Sequence, residues 1–168
     1  DILDDISTIA SIRNKDELEV MVNNFIEVTE GSVNDYHLKT VYDYTMILPE
    51  KYYGQGSYDR WKRVGWVLRN TSTKLLIVWI AFSAQSSEFT MDKVDDLRVM
   101  WNDFENNNKD GLTQRSILYW VHQDAPEKFK EIRAKSIDYH LDLSIRNMNM
   151  FSAGKNQNYG CGDTDIAK

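Results

Sequence analysis

Hydrolysis of a nucleotide demands a loop of the form G-x-x-x-x-G-K-[ST], whose backbone amides cradle the phosphates and whose hydroxyl holds magnesium. The nearest approach is Gly154-Lys155, and it fails twice: Asn156 follows, and Asn149 stands where the first glycine belongs. A metal-dependent polymerase site demands carboxylates at ligand spacing. Asp163-x-Asp165 has that spacing, but a pair near a glycine-rich end reads as a loop or a helix cap. His37, His122 and His140 are scattered, with no ligand spacing between them. Asn106-x-Asn108-x-Asp110-Gly111 opens like a calcium loop, yet the twelfth position, where a bidentate Glu is needed, is Ile117, so a turn is predicted. No G-x-S-x-G occurs, and Cys161 sits between two glycines with no activating base beside it. These residues predict no catalytic residue, no metal site and no cofactor of the chain's own.

One cluster has the equipment for binding. Between residues 58 and 69, at about 100° per helical residue, Trp61, Val64, Gly65 and Leu68 fall on one face, and Gly65 leaves room for a neighbouring helix. Lys62, Arg63, Trp66 and Arg69 line up on the other side. A tryptophan among three cations can stack on any base while the cations meet phosphates, which predicts contact with single-stranded nucleic acid. The bland alternative is that Trp66 packs under a second layer of helices and the cations form a solvated face. A second basic run, Lys128, Lys130, Arg133 and Lys135, alternates with Glu127 and Glu131 and reads as ordinary helix-surface pairing. Trp79, Trp101 and Trp120 lie on apolar stripes and are predicted to be core.

Helices must position these residues. Asn14 with Glu17 three residues on forms a capping box, and Leu18, Met21, Val22, Phe25 and Ile26 recur at helical spacing, predicting a helix over 15–30. A second is predicted from Asn34 until Pro49 stops it. Residues 51–56 read as a loop, Ser57 as the N-cap of a helix to Asn70, and Thr71 to Thr73 as the cap of another through Ser86. Leu75 to Phe82 is apolar on every side, which predicts a central helix rather than a strand, since no partner strand exists for it. Further helices are predicted from Thr90 or Asp92 to Phe104, from Thr113 with Ile117, Trp120 and Val121 inward, and from Ala125-Pro126 to about Asn147. The predicted class is all-α, a compact bundle of about seven helices with a loop-rich C-terminal tail.

Length and charge agree with that picture. The chain has 168 residues, room for one real core, and only 2 prolines and 8 glycines interrupt it. Its single cysteine rules out an intramolecular disulfide framework and predicts a reducing, intracellular compartment. The first residues show neither an initiator methionine nor a signal-peptide pattern, and no apolar run is long enough to span a bilayer, so a soluble fragment without a membrane partner is expected. Net charge is −6 but segregated: residues 1–50 carry 3 basic and 11 acidic side chains, whereas residues 51–74 carry six basic and one acidic.

The segment Tyr42 to Asp124 resembles a known family. It contains Ile47-Leu48-Pro49-Glu50-Lys51-Tyr52-Tyr53, then Tyr58-Asp59-Arg60-Trp61-Lys62-Arg63-Val64-Gly65-Trp66-Val67-Leu68-Arg69-Asn70, Val78 to Ser86, Trp101-Asn102-Asp103-Phe104 and Ser116 to Trp120. The ordered series W-x-x-V-G-x-x-L, W-x-x-F-S and W-x-x-F resembles the primase C-terminal type 2 helical domain of poxvirus-type primase-helicases of large DNA viruses. That resemblance implies a tail or linker over 1–13, the helical domain over 14–150, and a linker toward a pre-helicase region over 151–168. It implies a non-catalytic domain joining a primase to an ATP-dependent superfamily-three helicase; together with the basic 51–74 segment, this context leads to the expectation that Lys62, Arg63, Trp66 and Arg69 contact single-stranded template DNA. A structural adaptor without DNA contact is the alternative. Mg2+, ATP and dNTPs would be cofactors and substrates of the parent protein, a homo-hexamer working at the viral replication site in the host cytoplasm, or in the nucleus.

Overall fold

Helix formation in this chain is set by a few caps and by one segment with no polar side. The computed structural model describes residue 9 and residues 12–104 and 112–153. Among them are seven α-helices: α1 (Lys15–Glu30), α2 (Tyr36–Met46), α3 (Tyr58–Thr71), α4 (Leu76–Ser83), α5 (Val94–Phe104), α6 (Gln114–Asp124) and α7 (Pro126–Ala153), with no strand among the described residues. The motifs at Asn106 to Gly111, Gly154-Lys155, Cys161 and Asp163-x-Asp165 lie outside the described residues.

The predicted caps act as caps at several ends. Asn14 Oδ1 accepts from Glu17 N at 2.9 Å while Glu17 Oε2 accepts from Arg13 N at 2.7 Å, tying off the first turn of α1. Thr113 Oγ1 accepts from Arg115 N at the start of α6, and Ser116 Oγ accepts from Thr113 N in return. Ser72 accepts from Lys74 N and opens a short 3-10 turn, Thr73–Leu75, that leads into α4. Ser57 differs from expectation. It holds the N-cap position of α3, but its hydroxyl donates to Gly54 O at 2.6 Å, closing the preceding loop, which passes through Gly56 at φ 78. Helix α4 stops at Ser83 rather than Ser86, because Ser86 and Ser87 favour turns; the Gln85 amide caps Phe82 O.

The chain divides into two units, residues 1–129 and 130–168. In the first, α4 is the centre. All eight of its residues are buried, and α1, α2, α3 and α5 pack around it. A helix with no polar face has no other stable place. Phe25 from α1, Leu38 from α2, Val64 and Leu68 from α3 and Phe104 from α5 are all buried with it. Burying an aromatic ring of this size removes roughly 150–250 Å² from water, on the order of 4–6 kcal/mol before entropic costs. Helix α6 lies outside this shell, against α2 and α3, and buries Ile117 and Val121; Trp120, expected in the core, is only half-buried. In the second unit the described residues are the continuation of α7. Two of its apolar side chains are exposed there, Ile137 at 56% and Ile145 at 46%.

Candidate nucleic-acid interface

The face of α3 that carries Gly65 is spent on packing. A Cβ on Gly65 would sit 2.5 Å from Trp79 Cε2, so the indole of α4 lies directly on the α3 backbone. Trp61 stacks on Trp79 at 4.8 Å and donates from Nε1 to Ser83 Oγ at 2.7 Å; Ser83 in turn donates to Trp79 O. Trp79 continues the array to Trp101 at 6.0 Å and Phe104 at 5.3 Å. Its own Nε1 is buried with no acceptor among the described residues.

The other side of α3 does not form the single surface predicted for Lys62, Arg63, Trp66 and Arg69. Trp66 is only 6% exposed and stacks on Phe104 at 4.6 Å, so its ring is not offered to solvent. Lys62 closes over it, with Nζ 5.2 Å from the Trp66 ring and 5.8 Å from the Tyr58 ring, a cation–π arrangement that covers an aromatic edge. Arg69 is half-buried. Arg63 alone of the four is fully exposed, and it turns from α5 toward α6.

There it meets residues that the periodicity of α3 could not reveal. Arg63 shares a shallow hollow with Arg115, Tyr119 and Trp120 of α6 and with the Thr113 cap. Tyr119 is 65% exposed. Neither the Arg63 nor the Arg115 side chain is in an ion pair among the described residues. The hollow therefore offers one free ring face, a second half-buried ring and two guanidinium groups.

Two polar ties hold α6 along α3. At one end Asn70 Nδ2 donates to Leu112 O at 2.9 Å. At the other, Tyr52 donates to Asp124 Oδ2 at 2.5 Å, Lys51 Nζ pairs with Asp124 Oδ1 at 3.1 Å, and Arg60 Nε donates to Lys51 O. The helices thus run antiparallel, and Tyr52 also packs against Trp120 with centroids 5.9 Å apart. Burial, then the bond to Asp124, pushes the Tyr52 hydroxyl well above the usual tyrosine range. The Tyr52 bond, helped by Lys51, outweighs burial and holds the Asp124 carboxyl below its usual value.

Residues 42–121 match the family described as primase C terminal 2, PriCT-2. Residues 42–121 belong to this family. The chain is also similar to African swine fever virus proteins described as putative primases, from isolates of a Kenyan pig and a Namibian warthog and from the Badajoz strain. Each is 35% identical over 88 residues, 51% of this chain but only 9% of the relative's length. The match thus spans less than a tenth of those large-DNA-virus proteins. No solved structure matches.

Within the PriCT-2 domain, the motif residues fall in the core. Trp61, Val64, Gly65 and Leu68, then Trp79, Phe82 and Ser83, then Trp101 and Phe104 form the buried array around α4, apart from Trp61, which is half-buried at its edge. The signature therefore marks the fold of a primase-associated helical domain. The hollow at Arg63, Arg115, Tyr119 and Trp120 lies inside the same 42–121 span but uses none of the fixed residues of that series. An i, i+4 pair of Arg115 and Tyr119, opposite the inward Ile117 and Val121, is the sequence signal that could have located it. No group of three or more His, Cys, Asp or Glu side chains among the described residues could hold a metal ion, and no helix there is long and apolar enough to cross a membrane.

Proposed function

We propose that this PriCT-2 domain is a non-catalytic part of a viral replicative primase-helicase, joining primer synthesis to unwinding and steadying single-stranded template on the α3–α6 face. The observation that carries the reading is the pairing of exposed Tyr119 with Arg63 and Arg115, at the edge of a segment with six basic and one acidic side chain. An exposed ring stacks on any base, and guanidinium groups meet the flanking phosphates, which is how sequence-tolerant single-strand binding works. Trp66 takes a different part in this reading: with Lys62 over its ring it stacks on Phe104 of α5 and fixes the helix that carries Arg63.

Fluorescence anisotropy with a labelled oligothymidylate at low salt tests it. Arg63→Glu with Arg115→Glu is expected to weaken binding more than tenfold, and each Arg→Ala to flatten the salt dependence by about 0.7 in log–log slope. Affinity unchanged by the double charge reversal would overturn the template-contact role and leave the adaptor reading, which the burial of Trp66 favours.

A further inference from the structure

The chain has a second concave surface, at the other edge of α3, and its chemistry is opposite. A cleft of about 350 Å³ opens between the 53–58 loop, Trp61, the 86–89 turn and α5, within the size range of small binding pockets. Trp61, Phe89, Leu97 and Met100 give it apolar walls. Several of its polar groups are already engaged. Trp61 Nε1 donates to Ser83 Oγ, Ser83 to Trp79 O, Ser57 Oγ to Gly54 O, and Lys93 Nζ to Glu88 O at 2.8 Å. A ligand meets mainly ring faces and methyl groups, with the Tyr53 and Tyr58 hydroxyls also in the lining.

The rim is acidic. Glu88 and Asp96 stand at the mouth, Asp92 lies just beyond, and all three are exposed and in no ion pair among the described residues. Along α5 the same surface continues over Val99, which is 61% exposed. Carboxylates at the mouth repel phosphate, which separates this cleft from the Arg63 surface.

We propose that the cleft docks a protein segment carrying one large apolar side chain flanked by Lys or Arg. The anchor would fill the Trp61–Phe89–Met100 floor, and the cations would meet Glu88, Asp92 and Asp96, the core-and-rim pattern of peptide grooves. The site stands apart from template binding, so the domain would hold nucleic acid on one edge of α3 and a protein on the other.

The test is selection of 12-residue peptides from a random phage library on the 168-residue chain, counter-selected on a Glu88→Lys, Asp96→Lys variant whose changes are fully exposed. Enriched peptides are expected to combine Phe, Leu, Met or Trp with neighbouring Lys or Arg, to change Trp fluorescence, and to bind at least tenfold more weakly to both the double variant and Phe89→Ala. Circular dichroism checks that each variant is folded. Enrichment of peptides without basic residues, no enrichment over the counter-selection, or equal binding to the charge-reversed chain would overturn the proposal. So would a concentration-dependent dimer in sedimentation that the double variant abolishes, since the occupant would then be a second copy. Oligothymidylate affinity must stay unchanged in the double variant; weakened binding would reassign the cleft to nucleic acid.

Discussion

Two aromatic residues with cations beside them, Trp66 on α3 and Tyr119 on α6, end in opposite environments. Trp66 is 6% exposed beneath Lys62 and against Phe104; Tyr119 is 65% exposed beside Arg63 and Arg115. The difference is set by what packs against each helix. Helix α3 touches α4, α5 and α6, so Trp66 is covered and Trp61 half-covered, leaving only Tyr58 at its first turn exposed, whereas α6 sits outside the shell and keeps one side open. An aromatic among cations is a binding surface only where the fold leaves its helix a free side.

The sharpest break of this contrast is a pair of alanine variants. Trp66→Ala is expected to cost about 3–5 kcal/mol of stability in urea denaturation, through the cavity left beside Phe104, while single-strand affinity of the folded protein is unchanged. A loss of affinity without a loss of stability would reverse the assignment. Gly65→Ala should cost about 1–3 kcal/mol, since its methyl would press on the Trp79 indole, and it does so despite the roughly 1 kcal/mol by which alanine favours a helix. Adding Trp79→Phe should recover part of that loss, and no recovery would mean the clash is not the cause. Tyr119→Ala is the mirror image: binding weaker by about 1–3 kcal/mol in anisotropy, with the unfolding midpoint within about 0.5 kcal/mol of the parent.

The smallest effect concerns the tie that keeps α6 in place. Tyr52→Phe should lose about 1–2 kcal/mol near neutral pH, as a charge-assisted hydrogen bond is removed. The Asp124 carboxyl is held below its ordinary 3.8, so its share of stability is present above that value and lost as pH falls through the folded one. The Tyr52 hydroxyl is raised above its ordinary 10.0, so its share is present below that value and lost as pH rises beyond it. The gap between parent and variant in thermal melts should therefore be flat from about pH 5 to 9 and narrow in acid. A gap that persists at pH 2 would exclude the Asp124 bond as its origin.

Caps and periodicity made most helices legible, because both are local: Asn14 with Glu17, Thr113, and Pro126 mark starts that the structure keeps. Gly65 was legible as a close approach, though not which ring would come to it. The fate of Trp66 was not legible, because angular position on α3 does not say that α5 will lie over it. Tyr52 and Asp124 are 72 residues apart, and no local pattern connects them. The hollow at Arg63 shares this limit, since its lining comes from both α3 and α6. The sequence predicts a start for α5 at Thr90 or Asp92; Thr90 holds the N-cap position, but of a 3-10 turn, Met91–Lys93, and the α-helix follows from Val94.

The unbroken apolar character of α4 has a consequence in time as well as in space. Before its neighbours collapse on it, Leu75 to Phe82 is an uncharged, proline-free run rich in β-branched and aromatic residues, the composition that also favours stacking between chains. During synthesis it leaves the ribosome ahead of α5 and α6. A nascent chain at that stage has α1, α2 and α3 to lay against this run but not yet α5, so one side of its future centre stays a sticky exterior until α5 docks and completes the core.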